Sequence, residues 1–251
     1  MDSTTLLTRL DHEYRLLGTA LAAADATATV PSCPDWTAAD LDSHVAHVYR
    51  HKVETMRRGN WPQPWPPSEG VGTLADAYAA LQAEFAARTP SESAVTFFDP
   101  DQTVGFWIRR MAQETAIHRV DAELTAGGTI TPIEDDLAVD GIDELLRVFI
   151  EFASASWPED FAEVLATADR RPVRITTGGR DWTITAGDDR ILIRDGSVGG
   201  AGGSGGDAAA TISGEPSAVY RWLWNRGGDV TIDGDEALAL QLHPLMEPGL
   251  Q

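Results

Sequence analysis

The 251-residue chain is 43% hydrophobic and 23% charged, a globular composition large enough for one big domain or two smaller ones, and not that of a disordered chain. Its 19 basic and 39 acidic residues leave a formal charge of −20, which argues against nucleic acid or an anionic membrane as partner, since both would be repelled. A diffuse acidic surface also simply keeps a protein soluble, so the charge selects no cationic substrate.

Asp2 stands where a signal peptide would carry positive charge, and Arg9, Asp11, His12 and Glu13 interrupt the apolar residues that follow. The N-terminus therefore predicts neither a signal peptide nor a membrane span. Leu6, Leu7, Leu10, Tyr14, Leu17 and Leu21 recur at helical spacing instead. A break at 30–35 carries Pro31, Pro34 and Cys33, the single cysteine. One cysteine excludes an intrachain disulfide framework and a thiolate-rich zinc site, and makes the cytoplasm the expected compartment.

Thr37 reads as an N-cap, with Asp40 three residues on, and predicts a helix to about Arg58. The stretch 59–72, rich in proline and holding Trp61 and Trp65, predicts no regular element; its part 60–67 either shapes a pocket mouth or is a packed connection. Thr73 and Asp76 open another helix, LADAYAALQAEFAAR. A long helix is expected from Gln102 to about Thr125, closed by Gly127 and Gly128. A fifth runs from about Asp136 to Ser156 and stops at Trp157–Pro158, with a short one following to Ala166.

From residue 172 the pattern changes. PVRITTGG, RDWTITAG and DRILIRDG alternate like antiparallel strands joined by tight turns. The glycine run 199–206 lacks the Lys and Ser/Thr of a phosphate-binding loop and reads as a flexible connection. AAATIS then reads as a strand, EPSAVYRWLWNR as a helix, DVTIDG as a strand and DEALALQLHPLM as a closing helix. The fold class expected is α plus α/β, a helical domain over 1–166 and a small α/β domain over 170–251.

Six histidines are present: His12, His44, His47, His51, His118 and His243. Three of them share one side of the helix after Thr37, and Glu114 and His118 stack four residues apart on the long helix. Facing helices of a bundle build metal sites in this way. Two histidines and one carboxylate leave a coordination position open, which suits a catalytic zinc or another divalent ion. Taken alone, a Glu-x-x-x-His pair is more often a surface interaction, and spacing does not choose among His44, His47 and His51.

The segments VPSCPDWTAADLDSHVAHV (30–48), WIRRMAQETAIHRVDAEL (107–124) and ISGEPSAVYRWLWNRGGDVTIDGD (212–235) together resemble the maleylpyruvate isomerase family of actinobacterial mycothiol-dependent enzymes. The resemblance implies a DinB-like four-helix bundle followed by a sterol-carrier-like domain. It implies a divalent metal, zinc first among candidates, held by His44 in LDSHV and by Glu114 and His118 in ETAIHR, and mycothiol as the thiol cofactor. The chain departs from many relatives at Gln113, where they carry histidine; the neighbouring position faces away from the ligands, so the metal is expected to persist while substrate range changes.

On this resemblance the expected activity is that of a mycothiol-using enzyme, a cis–trans isomerase or an S-transferase, in which a metal-held thiolate attacks a small electrophile. The alternative is a non-catalytic ligand-binding or regulatory protein on the same scaffold, and a third reading is a cofactor-free tailoring enzyme. A monomer or homodimer is expected. Cys33, Trp36 and Trp107 read as packing residues. Arg226, ending the WLWNR helix, is a candidate to bind a carboxylate of substrate or thiol cofactor, though an arginine there also complements the helix dipole.

Overall fold

Apolar residues at helical spacing and well-capped helix starts account for most of the N-terminal architecture. The computed structural model describes residues 1–65, 70, 72–196 and 208–250. The glycine run 199–206, and residues 66–69 and 71 of the proline-rich stretch, lie outside that set. The chain divides into two compact units, Met1–Thr131 and Pro132–Gln251.

The first unit is built on four helices: α1 (Ser3–Ala23), α2 (Ala38–Arg58), α3 (Leu74–Ala86) and α4 (Val104–Thr125). α4 packs along α1, and α2 packs on both α3 and α4. Leu6, Leu10 and Leu17 of α1, Val45, Tyr49 and Val53 of α2, and Leu81 of α3 are buried with Val104, Trp107, Met111 and Val120 of α4. α4 is buried on nearly every side, which is why its sequence shows weak amphipathic periodicity. Capping boxes at Thr37/Asp40 and Thr73/Asp76 fix the starts of α2 and α3. Gly127, at φ 66°, lets the chain turn out of α4. The break at 30–35 holds a small antiparallel ribbon, β1 (Thr29–Val30) with β2 (Cys33–Thr37), which leads directly into α2.

The second unit begins with α5 (Asp135–Glu144), which runs on through a π-helical stretch, Leu145–Phe152, into α6 (Ala153–Ser156) and then α7 (Pro158–Thr167). Strands β3 (Val173–Thr177), β4 (Arg180–Ala186), β5 (Ile191–Gly196), β6 (Ala210–Ser213) and β7 (Thr231–Gly234) form one sheet in the order β5-β4-β3-β6-β7. β3 and β6 are parallel and the other pairs antiparallel. α8 (Pro216–Leu223) lies against α5, and α9 (Glu236–Leu240) and α10 (Leu242–Met246) close the chain. The edge of β5 is covered by side chains of the helical stretch: Glu151 accepts from the Ile193 amide at 3.0 Å, Arg147 donates to the Ile193 carbonyl at 2.8 Å, and Ser154 accepts from the Ile191 amide at 3.0 Å. Such cover prevents an edge strand from pairing with another chain.

The fold class is as expected, α plus α/β, but the boundary between units corrects the one read from sequence. It falls at 131/132 and not between 166 and 170. The pattern of 136–156 says only that a helix has an apolar face; that face is buried with the sheet and α8, through Leu137, Ile142, Leu146 and Ile150. Two smaller differences concern helix ends. The closing helix breaks at Gln241 into α9 and α10, and α8 stops at Leu223 because Asn225 adopts φ 58°.

Candidate metal centre

The candidate site is assembled by three pieces of the first unit. Thr37 starts α2 and accepts from the Asp40 amide at 3.2 Å, which sets the helix carrying His44. α2 and α4 run antiparallel in register: His44 meets Glu114, and Tyr49 shares a buried 2.6 Å hydrogen bond with Thr115. The ribbon β1–β2 brings Ser32 and Trp36 over the same end of the pair.

His44 Nε2 lies 3.4 Å from Glu114 Oε1, and His118 Nε2 lies 3.2 Å from the same oxygen. One ligand atom from each residue fits within 4.8 Å of the others, and this trio is the group of that kind among the described residues. Exposure falls from 33% at His44 through 18% at Glu114 to 11% at His118, so the cluster is closed from below and open on the His44 side. An open cleft of about 430 Å³ lies there, lined by Asp35, Trp36, Asp40, Ser43, His44, His47 and Trp65.

Each inner group is held from behind. Asp121, fully buried, accepts from His118 Nδ1 at 2.9 Å, and Ser32 Oγ donates to its other oxygen. That bond settles which nitrogen of His118 faces the cluster, the usual arrangement behind a metal-binding histidine. Arg110, also buried, donates to Glu114 Oε2 at 3.1 Å and leaves Oε1 toward the histidines. Burial pushes the Glu114 carboxyl upward, but the His118 charge, hydrogen bonds from His118 and His44, and Arg110 outweigh it and hold the group well below the usual carboxylate range. Burial likewise opposes charge on His118, yet Glu114 and the bond to Asp121 raise it to about 9. The two carboxylates on either side of His118 thus favour its protonated form.

The donor set fits a divalent ion. Two imidazole nitrogens and one carboxylate oxygen converge, the other ring nitrogen of His118 and the other oxygen of Glu114 are already engaged, and the fourth direction opens on the cleft.

The other histidines of α2 are not brought into the cluster. His47 Nδ1 donates to the Ser43 carbonyl at 2.6 Å, and His51 stacks on Trp61 with ring centroids 5.6 Å apart. Trp107 is core, as expected, with its indole nitrogen donating to the Val95 carbonyl at 2.9 Å. Trp36 is not core: it is half-buried, with its ring 4.5 Å from His44 and 6.2 Å from His118. Cys33 sits half-buried on β2, and Gln113 is fully buried on α4. Arg226 lies beyond α8 in the turn after Asn225, where it donates to the Trp224 carbonyl at 2.6 Å and lies 5.7 Å from that ring. Sequence reasoning missed Asp121, although its i+3 spacing from His118 in HRVD was a readable signal, and it missed Ser32 and Arg110.

Two family models match the chain. The one described as "Mycothiol maleylpyruvate isomerase N-terminal domain" covers residues 7–123, and "MDMPI C-terminal domain" covers residues 136–241. The chain belongs to this family. The two matches meet near the boundary between the compact units. No curated protein matches the chain. A solved structure titled "UbiJ-SCP2 Ubiquinone synthesis protein" is similar at 15% identity over 48% of this chain and 97% of that one, with a TM-score of 0.30. Among the described residues no helix is long and apolar enough to cross a membrane.

Proposed function

We propose that this maleylpyruvate isomerase family member is a metal-dependent, mycothiol-using enzyme, in which a thiolate adds to an electrophilic small molecule to isomerise or conjugate it. Zinc suits the donor set best, with His44 Nε2, Glu114 Oε1 and His118 Nε2 as the residues that would hold it. A divalent ion bound there supplies one thing, a thiol deprotonated near neutral pH. The observation that carries the reading is the convergence of the three donors within 4.8 Å beside an open cleft.

The chain's own residues do the rest. Asp121 keeps His118 in one tautomer and one orientation. Arg110 fixes the Glu114 carboxylate by its outer oxygen, so the inner one does not swing away. Trp36 covers the face of His44 and narrows the approach. The cleft along Trp36, Ser43, His47 and Trp65 gives thiol and electrophile a common entry. Arg226 is retained as a second candidate, a cation for a carboxylate of substrate or thiol, to be tested by Arg226→Ala.

The test is conversion of maleylpyruvate to its trans isomer, and conjugation of a model electrophile, with and without mycothiol. Thiol-dependent turnover that disappears in Glu114→Ala supports the reading. Turnover that persists in Glu114→Ala, or needs no thiol, overturns it.

A further inference from the structure

The two buried cations of α4 near the site each have a carboxylate. Arg110 holds Glu114 at 3.1 Å and Arg119 holds Glu13 at 2.7 Å. Lys52, on α2 two turns beyond His44, does not: among the described residues no carboxylate lies within ion-pair distance of its Nζ. Its ammonium donates to His51 Nδ1 at 3.2 Å and sits 4.8 Å from the ring centre of Trp107 and 5.8 Å from that of Trp61. The two indoles stabilise a cation only weakly, and a half-buried ammonium gives up part of its hydration without gaining an anion. A methionine would fill the same space between the rings at no such cost.

Lys52 is also placed to serve the site. The antiparallel register that sets His44 beside Glu114 and Tyr49 beside Thr115 sets Lys52 beside Trp107 on α4. It is near enough to Glu114 for that carboxylate's charge to act on it, and Arg110 adds a second positive charge. His51 is held neutral by burial and by the Lys52 charge, which frees Nδ1 to accept from the ammonium. His51 in turn contacts Trp65, a residue of the cleft wall, at 4.9 Å between ring centres. Burial lowers the Lys52 amine to about 8, and an arriving anion would hold it charged.

We propose that Lys52 is an anion-binding residue of the site and takes a carboxylate of the electrophilic substrate on its ammonium, beside the exposed indole of Trp61. The inference rests on the proposed function for the word substrate, but the binding of the anion does not need the metal. It accounts for an unpaired cation where an apolar residue would pack better, and it gives the enzyme a preference for acidic electrophiles over neutral ones.

The experiment is calorimetric titration of the full-length protein with maleate and with its uncharged dimethyl ester, in wild type, Lys52→Met and Lys52→Arg. Lys52→Met is expected to lose maleate affinity by about ten- to a hundred-fold, the range for a hydrogen bond to a charged group. It should keep its affinity for the ester and unfold at no lower temperature than wild type. Lys52→Arg, which keeps the charge, should retain most of the maleate affinity and guards against misfolding of the first variant. Equal maleate affinity in wild type and Lys52→Met, equal loss for acid and ester, or no maleate binding to wild type would each overturn the proposal. Repeating the titration on metal-stripped protein separates the two readings. Maleate binding that depends on Lys52 in a chain that takes up no metal supports Lys52 and removes the thiolate enzyme. Metal at the three donors with maleate binding indifferent to Lys52 does the reverse.

Discussion

Two polar clusters are buried side by side on α4, and they are built to opposite ends. Arg119 is fully buried and donates to Glu13 on α1 at 2.7 Å, to Glu123 at 2.7 Å and to the Thr131 carbonyl at 2.6 Å; Glu123 also accepts from the Thr131 amide at 2.9 Å. One residue earlier, His118 faces another way, into a cluster whose three donors point at a common centre. The first cluster pairs its charges within the unit, leaving only Glu13 Oε1 and Arg119 Nη2 without a hydrogen bond among its described buried atoms, and it ties α1 and the end of α4 together. The second is held rigid from behind by Asp121 and Arg110 and left open in front. The difference teaches that burial and charge alone do not mark a site; the direction in which the engaged and disengaged atoms point does.

Removing Arg119 should produce the largest change in stability. Arg119→Ala leaves Glu13 and Glu123 buried with no cation, and the expected loss is about 3–5 kcal/mol in chemical denaturation. Metal stoichiometry of the fraction that remains folded should not change, and a loss of metal equal to that of a ligand variant would erase the distinction between the clusters. Asp121→Asn should act the other way round. Metal affinity is expected to fall about 10- to 100-fold by competition with a chromophoric chelator, while the melting temperature moves far less than in Arg119→Ala.

Thr37→Ala removes the cap that starts α2 and should cost about 1 kcal/mol of stability. Because that helix carries His44, a weaker hold on metal should accompany it. The smallest effect is expected at Glu54, which pairs with Arg58 at 2.9 Å on the surface of α2. Glu54→Ala should change stability by less than about 1 kcal/mol and leave metal binding alone.

Much of the fold was legible because local rules and tertiary packing agree. The capping pairs Thr37/Asp40 and Thr73/Asp76, the glycine exit at Gly127 and the alternation in 173–196 each became the element they predict. The unit boundary was not legible, since an amphipathic helix at 136–156 looks the same whether its apolar face meets helices or a sheet. The site divides in the same way. Glu114 and His118 are readable as an i, i+4 pair, but which histidine of α2 faces them depends on the rotation of α2 against α4. That rotation is a tertiary quantity, and only the family resemblance selected His44. Trp36 looked like core because a tryptophan in a turn carries no mark of what it covers. Lys52 left no signal at all, because a half-buried lysine with no carboxylate beside it among the described residues is defined by what surrounds it.

The measurement that bears most directly on the central claim is metal content by elemental mass spectrometry, on the purified protein and on variants with alanine at His44, Glu114 and His118. About one zinc or similar divalent ion per chain, lost in the triple variant while the helical signal remains, is the predicted result. A native protein that takes up no metal after reconstitution, or a triple variant that keeps it, would contradict the account.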